Sequence, residues 1–424
     1  MTDATWHRRH ASRAPARPSG YRIVLAGVLW LPVLVAAAPP TVNGTLETIE
    51  GVRVLKLWGS PFEQGFAHGY LLGEDALPLM QAVLGELKLL GNPAVYEALH
   101  QRVAQQFLFE PDRLAELEGM LAGVRAVRGA RGTRLEVLGR DLDVQDLQVL
   151  NAVADLNQMM CSSFSVWGDL GPEGETLTAR NLDFPLHSLA NQHVLIVYLE
   201  PGKERRRWVS LAWPSLIGAY TAMNEDGVTI SIHDAPGLPP EGPGPFVPRS
   251  FVLREALERA SADHAFEVVQ RVLEERPVRG GNNVHASVPY RGQDAVAAVL
   301  EYDGQRGQAK GVSVRRPGVA TDLVPPTALV CTNHYRLRGP ARSCGRYEFL
   351  SAALTEAAAR QEHITVDRAR TLLAGVAMRG GVLTLQSVVF LPNRGEIHVG
   401  LATVGEPAPG PALARLSLQD LWRR

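Results

Sequence analysis

The sequence predicts an α+β fold, with a largely helical segment from about residue 45 to 160 followed by a segment made mostly of strands. Three observations predict it. Helix-start signals recur ahead of residue 160, the clearest being Ser60-Pro61-Phe62-Glu63, with an N-cap serine, proline at the first helical position and a glutamate placed to close a capping box. Beyond residue 160 the pattern changes to short β-rich runs parted by Gly, Pro and Asn turns. With 46% hydrophobic and 21% charged residues in 424, the chain can fill one large core or two ordinary ones.

The elements follow in order. A basic stretch from His7 to Arg22 precedes an apolar run from Ile23 to Ala38 that ends in three alanines. This is the layout of a secretory signal, and the run is short for a membrane span. Residues 1–38 are therefore read as a signal peptide or an uncleaved N-terminal anchor, and the protein as exported: periplasmic, secreted or membrane-anchored. Leu46–Leu57 is β-rich. The helix from Pro61 runs towards Leu90 and carries Gly65 and Gly69, whose spacing allows another helix to approach closely; His68 belongs to that packing. Asn92–Phe109 and Pro111–Val127 continue as helices, and Arg128–Arg134 is a break. Asp143 caps a last helix whose Leu147, Leu150, Val153, Ala154 and Asn157 trace one face up to Met160.

The chain pivots on Met160-Cys161-Ser162-Ser163-Phe164-Ser165-Val166-Trp167-Gly168, a strand with one buried face. Gly171-Pro172-Glu173-Gly174 turns it, and Glu175–Leu182 returns. Antiparallel pairing brings Arg180 and Asp183 back to Cys161, so a thiol, a guanidinium and a carboxylate share one sheet edge. Strands follow at Val194–Glu200, Arg207–Ala212 and Leu216–Met223. Asn224-Glu225-Asp226-Gly227 then makes a tight turn into Val228–His233. A Pro/Gly-rich loop, Pro236–Pro248, forms a rim or lid. Helices at Arg249–Arg259 and Asp263–Leu273 lead to strands at Val284–Val288 and Ala295–Tyr302, where Asn282, Asn283 and His285 satisfy the sheet end. Leu329–Tyr335 is an apolar strand ending in Thr332-Asn333-His334. Ser343–Ala359 and the run from Thr365 to Val376 are helices, and Leu383–Phe390 with Glu396–Leu401 closes as a hairpin.

A net charge of -1 without a long basic run argues against nucleic acid and for a small-molecule partner. Three cysteines make no disulfide framework. Cys331 and Cys344 can pair or can both be buried small hydrophobes, and either way Cys161 is left free. No metal-ligand spacing occurs among the cysteines and the 12 histidines, so neither a metal nor another cofactor is expected.

The Cys-Ser-Ser-Phe strand followed by Arg180-Asn181-Leu182-Asp183-Phe184 resembles the N-terminal-nucleophile (Ntn) hydrolase superfamily. Within it the chain looks most like the acyl-coenzyme A:6-aminopenicillanate acyltransferase-like family, more distantly like bile-salt hydrolases and acid ceramidase. Gly59-Ser60-Pro61-Phe62-Glu63-Gln64-Gly65-Phe66-Ala67-His68-Gly69, Thr332-Asn333-His334, Ser343-Cys344-Gly345-Arg346-Tyr347 and Leu385–Phe390 extend the likeness over about residues 50 to 402. The resemblance implies a four-layer αββα sandwich and a precursor that cuts itself between Met160 and Cys161. Residues 39–160 would be one chain and 161–424 the catalytic chain, interlocked after the cut. It implies Cys161 as nucleophile, Arg180, Asp183 and Arg346 beside it, and Asn333 as an oxyanion donor. It also puts Asn224 at the substrate, against its plain reading as a good turn former. The family's usual residue before the cysteine is glycine; here Met160 stands at the cut.

The implied chemistry follows from a cysteine at a chain terminus. Its α-amine, with a pKa of about 8, can take the thiol's proton, so one residue supplies nucleophile and base. Asp183 would hold the ammonium and Arg180 would favour the thiolate. The reading is an amidohydrolase or acyltransferase acting on the C–N bond of a small N-acyl substrate, with an acyl-coenzyme A donor among the partners it admits. The alternatives are a papain-like Cys/His hydrolase, which needs a histidine within reach of Cys161, and a non-catalytic binding protein of the same fold. Membrane association would run through the N-terminal segment.

Overall fold

Hydrophobic alternation and turn chemistry produce two large sheets. The computed structural model describes residues 41–86, 92–156, 159–305, 311–319, 322–338 and 340–424. The signal-like residues 1–38, the expected helix end at Leu90 and Asn157 lie outside them. Among the described residues, no helix is long and apolar enough to cross a membrane.

The upstream part holds β1 (Gly44–Ile49), β2 (Val52–Leu57), α1 (Pro61–Leu71), α2 (Gly73–Glu86), α3 (Pro93–Gln106), α4 (Pro111–Arg128), a small hairpin of β3 (Arg134–Leu135) and β4 (Arg140–Asp141), α5 (Val144–Asn151) and α6 (Val153–Leu156). The expected long helix from Pro61 divides at Leu72, whose φ of -116° and ψ of 14° are not helical. Downstream come β5 (Met160–Val166), β6 (Leu177–Phe184), β7 (Val194–Tyr198), β8 (Trp208–Ala212), β9 (Thr221–Asn224), β10 (Thr229–Asp234), α7 (Arg249–Arg259), α8 (Ala265–Glu275), β11 (Asn282–Ser287), β12 (Ala297–Tyr302), β13 (Ser313–Arg315) and β14 (Ala328–Cys331). The chain closes with α9 (Gly345–Ala359), α10 (Val366–Gly375), β15 (Leu383–Leu391), β16 (Glu396–Leu401), β17 (Ala414–Ser417) and α11 (Leu418–Leu421). Short β13 and β17 carried no clear sequence signal, and the expected strand at Leu216 begins only at Thr221.

One sheet has nine strands in the order β1-β2-β7-β8-β9-β10-β11-β12-β13, and the other has six in the order β14-β5-β6-β15-β16-β17. All neighbours pair antiparallel except β2 and β7. The sheets face each other through an apolar layer that includes Val54, Leu195, Val209 and Met223 on one side and Val388, Phe390, Val399 and Leu416 on the other. Phe164, Val166 and Ala179 point the opposite way, onto Tyr347, Leu350 and Leu372 of α9 and α10. Helices α1, α7 and α8 pack against strands of the nine-stranded sheet. The layering is thus α-β-β-α, an α+β fold, and Val42–Arg424 is one compact unit.

The upstream and downstream parts cannot be separated as domains. Strands β1 and β2 extend the nine-stranded sheet. Helix α1 crosses α4 so closely that an ideal Cβ on Gly65, Gly69, Gly119 or Gly123 would lie 1.8, 1.9, 2.1 or 2.2 Å from a backbone oxygen of the opposite helix. This is the close approach that the Gly65/Gly69 spacing foretold. On α4, buried Glu116 accepts from Tyr198 on β7 at 2.9 Å and from Arg254 on α7 at 3.0 Å. Arg254 also donates to Glu258 at 2.8 Å, and Arg113 of α4 reaches the same carboxylate at 3.1 Å. Removing one member strands the others without water, a loss of about 3–5 kcal/mol for a buried pair.

Candidate active site

Strand alternation decides where Cys161 points. Along β5 the even positions Phe164 and Val166 meet α9 and α10, so Cys161, Ser163 and Ser165 face the nine-stranded sheet. The register pairs Cys161 with Leu182 and Ser163 with Arg180, which sets Arg180 diagonally across from the cysteine on the same face. Its Nη2 lies 3.4 Å from Cys161 Sγ and donates to the Ile232 carbonyl at 2.8 Å. Cys161 and Arg180 are both wholly buried. Burial pushes the thiol up to about 11, partly countered by the Arg180 charge. With Cys161 in mid-chain the sulfur is therefore a neutral thiol at pH 7.

Asp183 pairs with Met160 in the register and reaches the cysteine end from the other face of the sheet. Burial raises its carboxyl to about 6, while Thr384, donating at 2.5 Å, and Arg346, at 3.0 Å, act to lower it. Arg346 stands in the first turn of α9 and ties the group together. Its Nη1 also donates to the Cys161 carbonyl at 2.8 Å and its Nη2 to Asn333 Oδ1 at 2.8 Å. The expected strand through Asn333 stops at Cys331, so Asn333 sits in the loop just past it. Asn333 Oδ1 accepts from the Cys161 N–H at 2.9 Å, and its Nδ2 donates to the Met159 carbonyl at 3.1 Å and the Asp234 carbonyl at 2.7 Å. Five of the expected residues, Cys161, Arg180, Asp183, Asn333 and Arg346, converge on the Met160–Cys161 peptide.

Asn224 does not join them. Its Nδ2 donates to the Leu257 and Ala260 carbonyls at 2.9 and 2.8 Å, closing the end of α7. Its Oδ1 accepts the Asp226 and Val228 N–H groups at 3.1 and 3.0 Å. The side chain has no donor left for a substrate. It lies at the Thr229 end of β10, and five residues of strand, about 17 Å, carry the chain from there to Asp234 beside the cysteine. The turn-former reading is the correct one.

Two residues that the sequence reading did not single out for the site belong near it. Asp234 Oδ2 accepts from the Met159 N–H at 2.6 Å, and its other oxygen is gripped by Arg249. Burial raises this carboxyl. Asn283, read as sheet-end satisfaction, donates to the carbonyls of Thr332 and His334 at 2.9 and 3.0 Å, pinning Asn333 from both sides. A strand-end carboxylate and an Asn-Asn pair are common without function, so only their three-dimensional neighbours mark them out.

The histidines go elsewhere. His233 Nε2 and His285 Nδ1 bond Ser163 Oγ at 2.8 and 2.7 Å, and His285 Nε2 bonds Ser165 at 2.9 Å. Burial holds both rings neutral, His285 at about 3 and His233 well below the ordinary value. His68 accepts the Ser215 N–H at 3.0 Å, a packing role as expected. Cys331 and Cys344 are free thiols and form no bridge. Among the described residues, one set of possible metal donors comes together, His100, Asp143 and Asp146. Arg140 donates to both Asp146 oxygens at 2.8 Å and Tyr96 adds a bond at 2.7 Å, so that carboxylate is already occupied by protein donors.

No family model matches the chain. It is similar to Protein dcd1B of Dictyostelium discoideum, 27% identical over 209 residues, covering 46% of this chain and 40% of that protein. An uncharacterised protein of Archaeoglobus fulgidus is 24% identical over 327 residues, 67% of this chain and 50% of that one. The chain thus spans half or less of the length of these two curated relatives. Solved structures that overlay on it include a Caenorhabditis elegans ortholog of N-acylethanolamine-hydrolyzing acid amidase (16% identity, 55% of this chain and 93% of that one, TM-score 0.40). A conjugated bile acid hydrolase variant from Clostridium perfringens (10%, 62% and 93%, 0.42) and penicillin V acylase from Agrobacterium tumefaciens (15%, 62% and 88%, 0.35) also overlay.

Proposed function

We propose that this chain is an Ntn-type cysteine amidohydrolase or acyltransferase that activates itself by cutting Met160–Cys161. The observation that carries the reading is the convergence of Arg180 on the Cys161 thiol, Asn333 on its backbone N–H and Arg346 on its carbonyl, with Asp183 bound to Arg346 beside them. Together these groups handle a nucleophile, a nascent amine and a developing negative charge.

In the uncut chain Cys161 Sγ attacks the Met160 carbonyl carbon; a C–S bond forms, the C–N bond breaks, and the nitrogen takes the thiol's proton. Water then opens the thioester, releasing the Met160 carboxyl and freeing Cys161. The new α-amine lies where the N–H meets Asn333 Oδ1 at 2.9 Å, so Asn333 is its first acceptor and Asp183, held by Arg346, supplies the balancing charge nearby. In turnover the amine takes the thiol's proton, sulfur adds to the substrate carbonyl, and the leaving amine departs with that proton. Water, or an acceptor amine, then cleaves the acyl-cysteine. The Asn333 N–H now on Met159 is freed by the cut and can meet the oxyanion, a contribution of about 3–4 kcal/mol where such a donor is preorganised. The sheet and the Glu116–Arg254 cluster keep 39–160 bound to 161–424. Residues 1–38 mark the protein for export.

Trapping tests the reading. Denaturing quench of the processed protein during turnover of a small N-acyl amide should give one acyl adduct, on Cys161, and Cys161→Ala should give neither adduct nor product. Turnover retained by Cys161→Ala refutes it.

A further inference from the structure

The uncut chain places a peptide in its own site, and the contacts that hold this peptide report what the mature site can hold. Met160 supplies the carbonyl next to Cys161, and Met159, one residue further out, presents its N–H to Asp234 Oδ2 at 2.6 Å. Asp234 is 8% exposed, and its carboxylate is fixed by Arg249, itself 4% exposed and anchored on Asn282 Oδ1 at 2.5 Å. A buried acceptor so held cannot turn away when Met159 leaves. It then faces the acyl side of the scissile bond without its donor. Beside it lies a cavity of about 350 Å³, lined by Asp234, Ala235, Leu238, Arg249 and Gly281 together with Asp155 of the upstream part. The cavity has room for an acyl group continuing past Asp234.

We infer that the mature site prefers acyl groups carrying an N–H donor where the uncut chain has that of Met159, that is, peptide-like acyl donors, over plain hydrocarbon acyl chains. The inference rests on the amide-cleaving reading above and adds the acyl class. In a peptidyl acyl group the donor nitrogen stands five bonds from the scissile carbonyl carbon, the spacing from Met159 N to Met160 C. A hydrocarbon chain offers Asp234 nothing and leaves a buried carboxylate without its partner, the arrangement by which polar sites reject apolar analogues.

Three 4-nitroanilides with the same leaving amine separate the outcomes on the processed protein: N-acetyl-methionyl-methionine, the same compound methylated on the first methionine nitrogen, and decanoyl. The expected result is that the N-methyl compound loses about 10-fold or more in kcat/KM, about 1.4 kcal/mol, and that the decanoyl amide is also slower than the N–H peptide. Equal rates for the N–H and N-methyl peptides overturn the inference, as does faster cleavage of the decanoyl amide; in both cases amide cleavage itself stands. No turnover of any of the three, nor of other N-acyl amides, overturns the enzyme reading and this inference with it.

Discussion

Arg346 and Asp183 form the joint on which the site depends, and a double-mutant cycle can measure it. Their charges lie 3.0 Å apart, with the Asp183 side chain fully buried and that of Arg346 only 13% exposed. At an effective dielectric constant of about 20, two charges at that distance attract by about 5 kcal/mol, much of it offset by the cost of taking both from water. Removing only one partner leaves the other buried and unbalanced, so Arg346→Met and Asp183→Asn should each lower stability by about 3–5 kcal/mol. Arg346→Met should be the worse, because it also removes bonds to the Cys161 carbonyl and Asn333. The double variant should cost less than the two single losses together by about 2 kcal/mol or more. Urea unfolding in a Cys161→Ala background, which lacks the thiol that the proposed self-cleavage requires, reads the cycle on one uniform chain. Single losses that simply add, within about 0.5 kcal/mol, would mean that the two residues do not act as a unit.

Other outcomes follow from the same geometry. Gly119→Ala puts a methyl 2.1 Å from the Phe62 carbonyl and should lower stability by about 1–3 kcal/mol through parting α1 from α4, read as a drop in Tm. Asn224→Ala should lower Tm by unpicking the end of α7 while the mature enzyme keeps its kcat, whereas Asn333→Ala should stop both cutting and turnover; a large kcat loss in Asn224→Ala would restore it to the site. Acid should destabilise the uncut chain. His68, His193 and His285 are held at about 3, and His233 well below 6.5, so below pH 6.5 the unfolded chain binds protons the folded one refuses. That removes roughly 2 kcal/mol at pH 5 for each of His68, His193 and His285, with His233 acting in the same direction. Asp155 and Asp183, raised to about 6, work the opposite way and each return roughly 1.4 kcal/mol at pH 5, with Asp234 acting in the same direction. The Tm of Cys161→Ala should therefore fall between pH 7 and pH 5; a rise would contradict the balance.

Much of this was legible because local rules and the fold agree. The capping box at Ser60, the caps at Asp143 and Thr365 and the β5–β6 hairpin formed where residue chemistry required them. The hairpin alone brings Arg180 to Cys161, and the alternation that buries Phe164 and Val166 aims the thiol at the other sheet. What escaped the sequence is non-local. Asp234 matters through Met159, 75 positions away, and Asn283 through the two carbonyls flanking Asn333, and no periodicity encodes either pairing. Asn224 misled for a related reason: the same amide that suits a substrate contact also suits a helix end, and only the position of Leu257 and Ala260 decides between them. The helix division at Leu72 was hidden because the next helix begins at Gly73, directly after it, so no loop residues mark the break.

The most direct measurement is the intact mass and N-terminal sequence of active protein, taken with the site of thiol labelling. The account predicts two fragments that stay associated until denatured, the second beginning at Cys161 and carrying the label there. A fully active preparation in which the Met160–Cys161 bond is unbroken would contradict it.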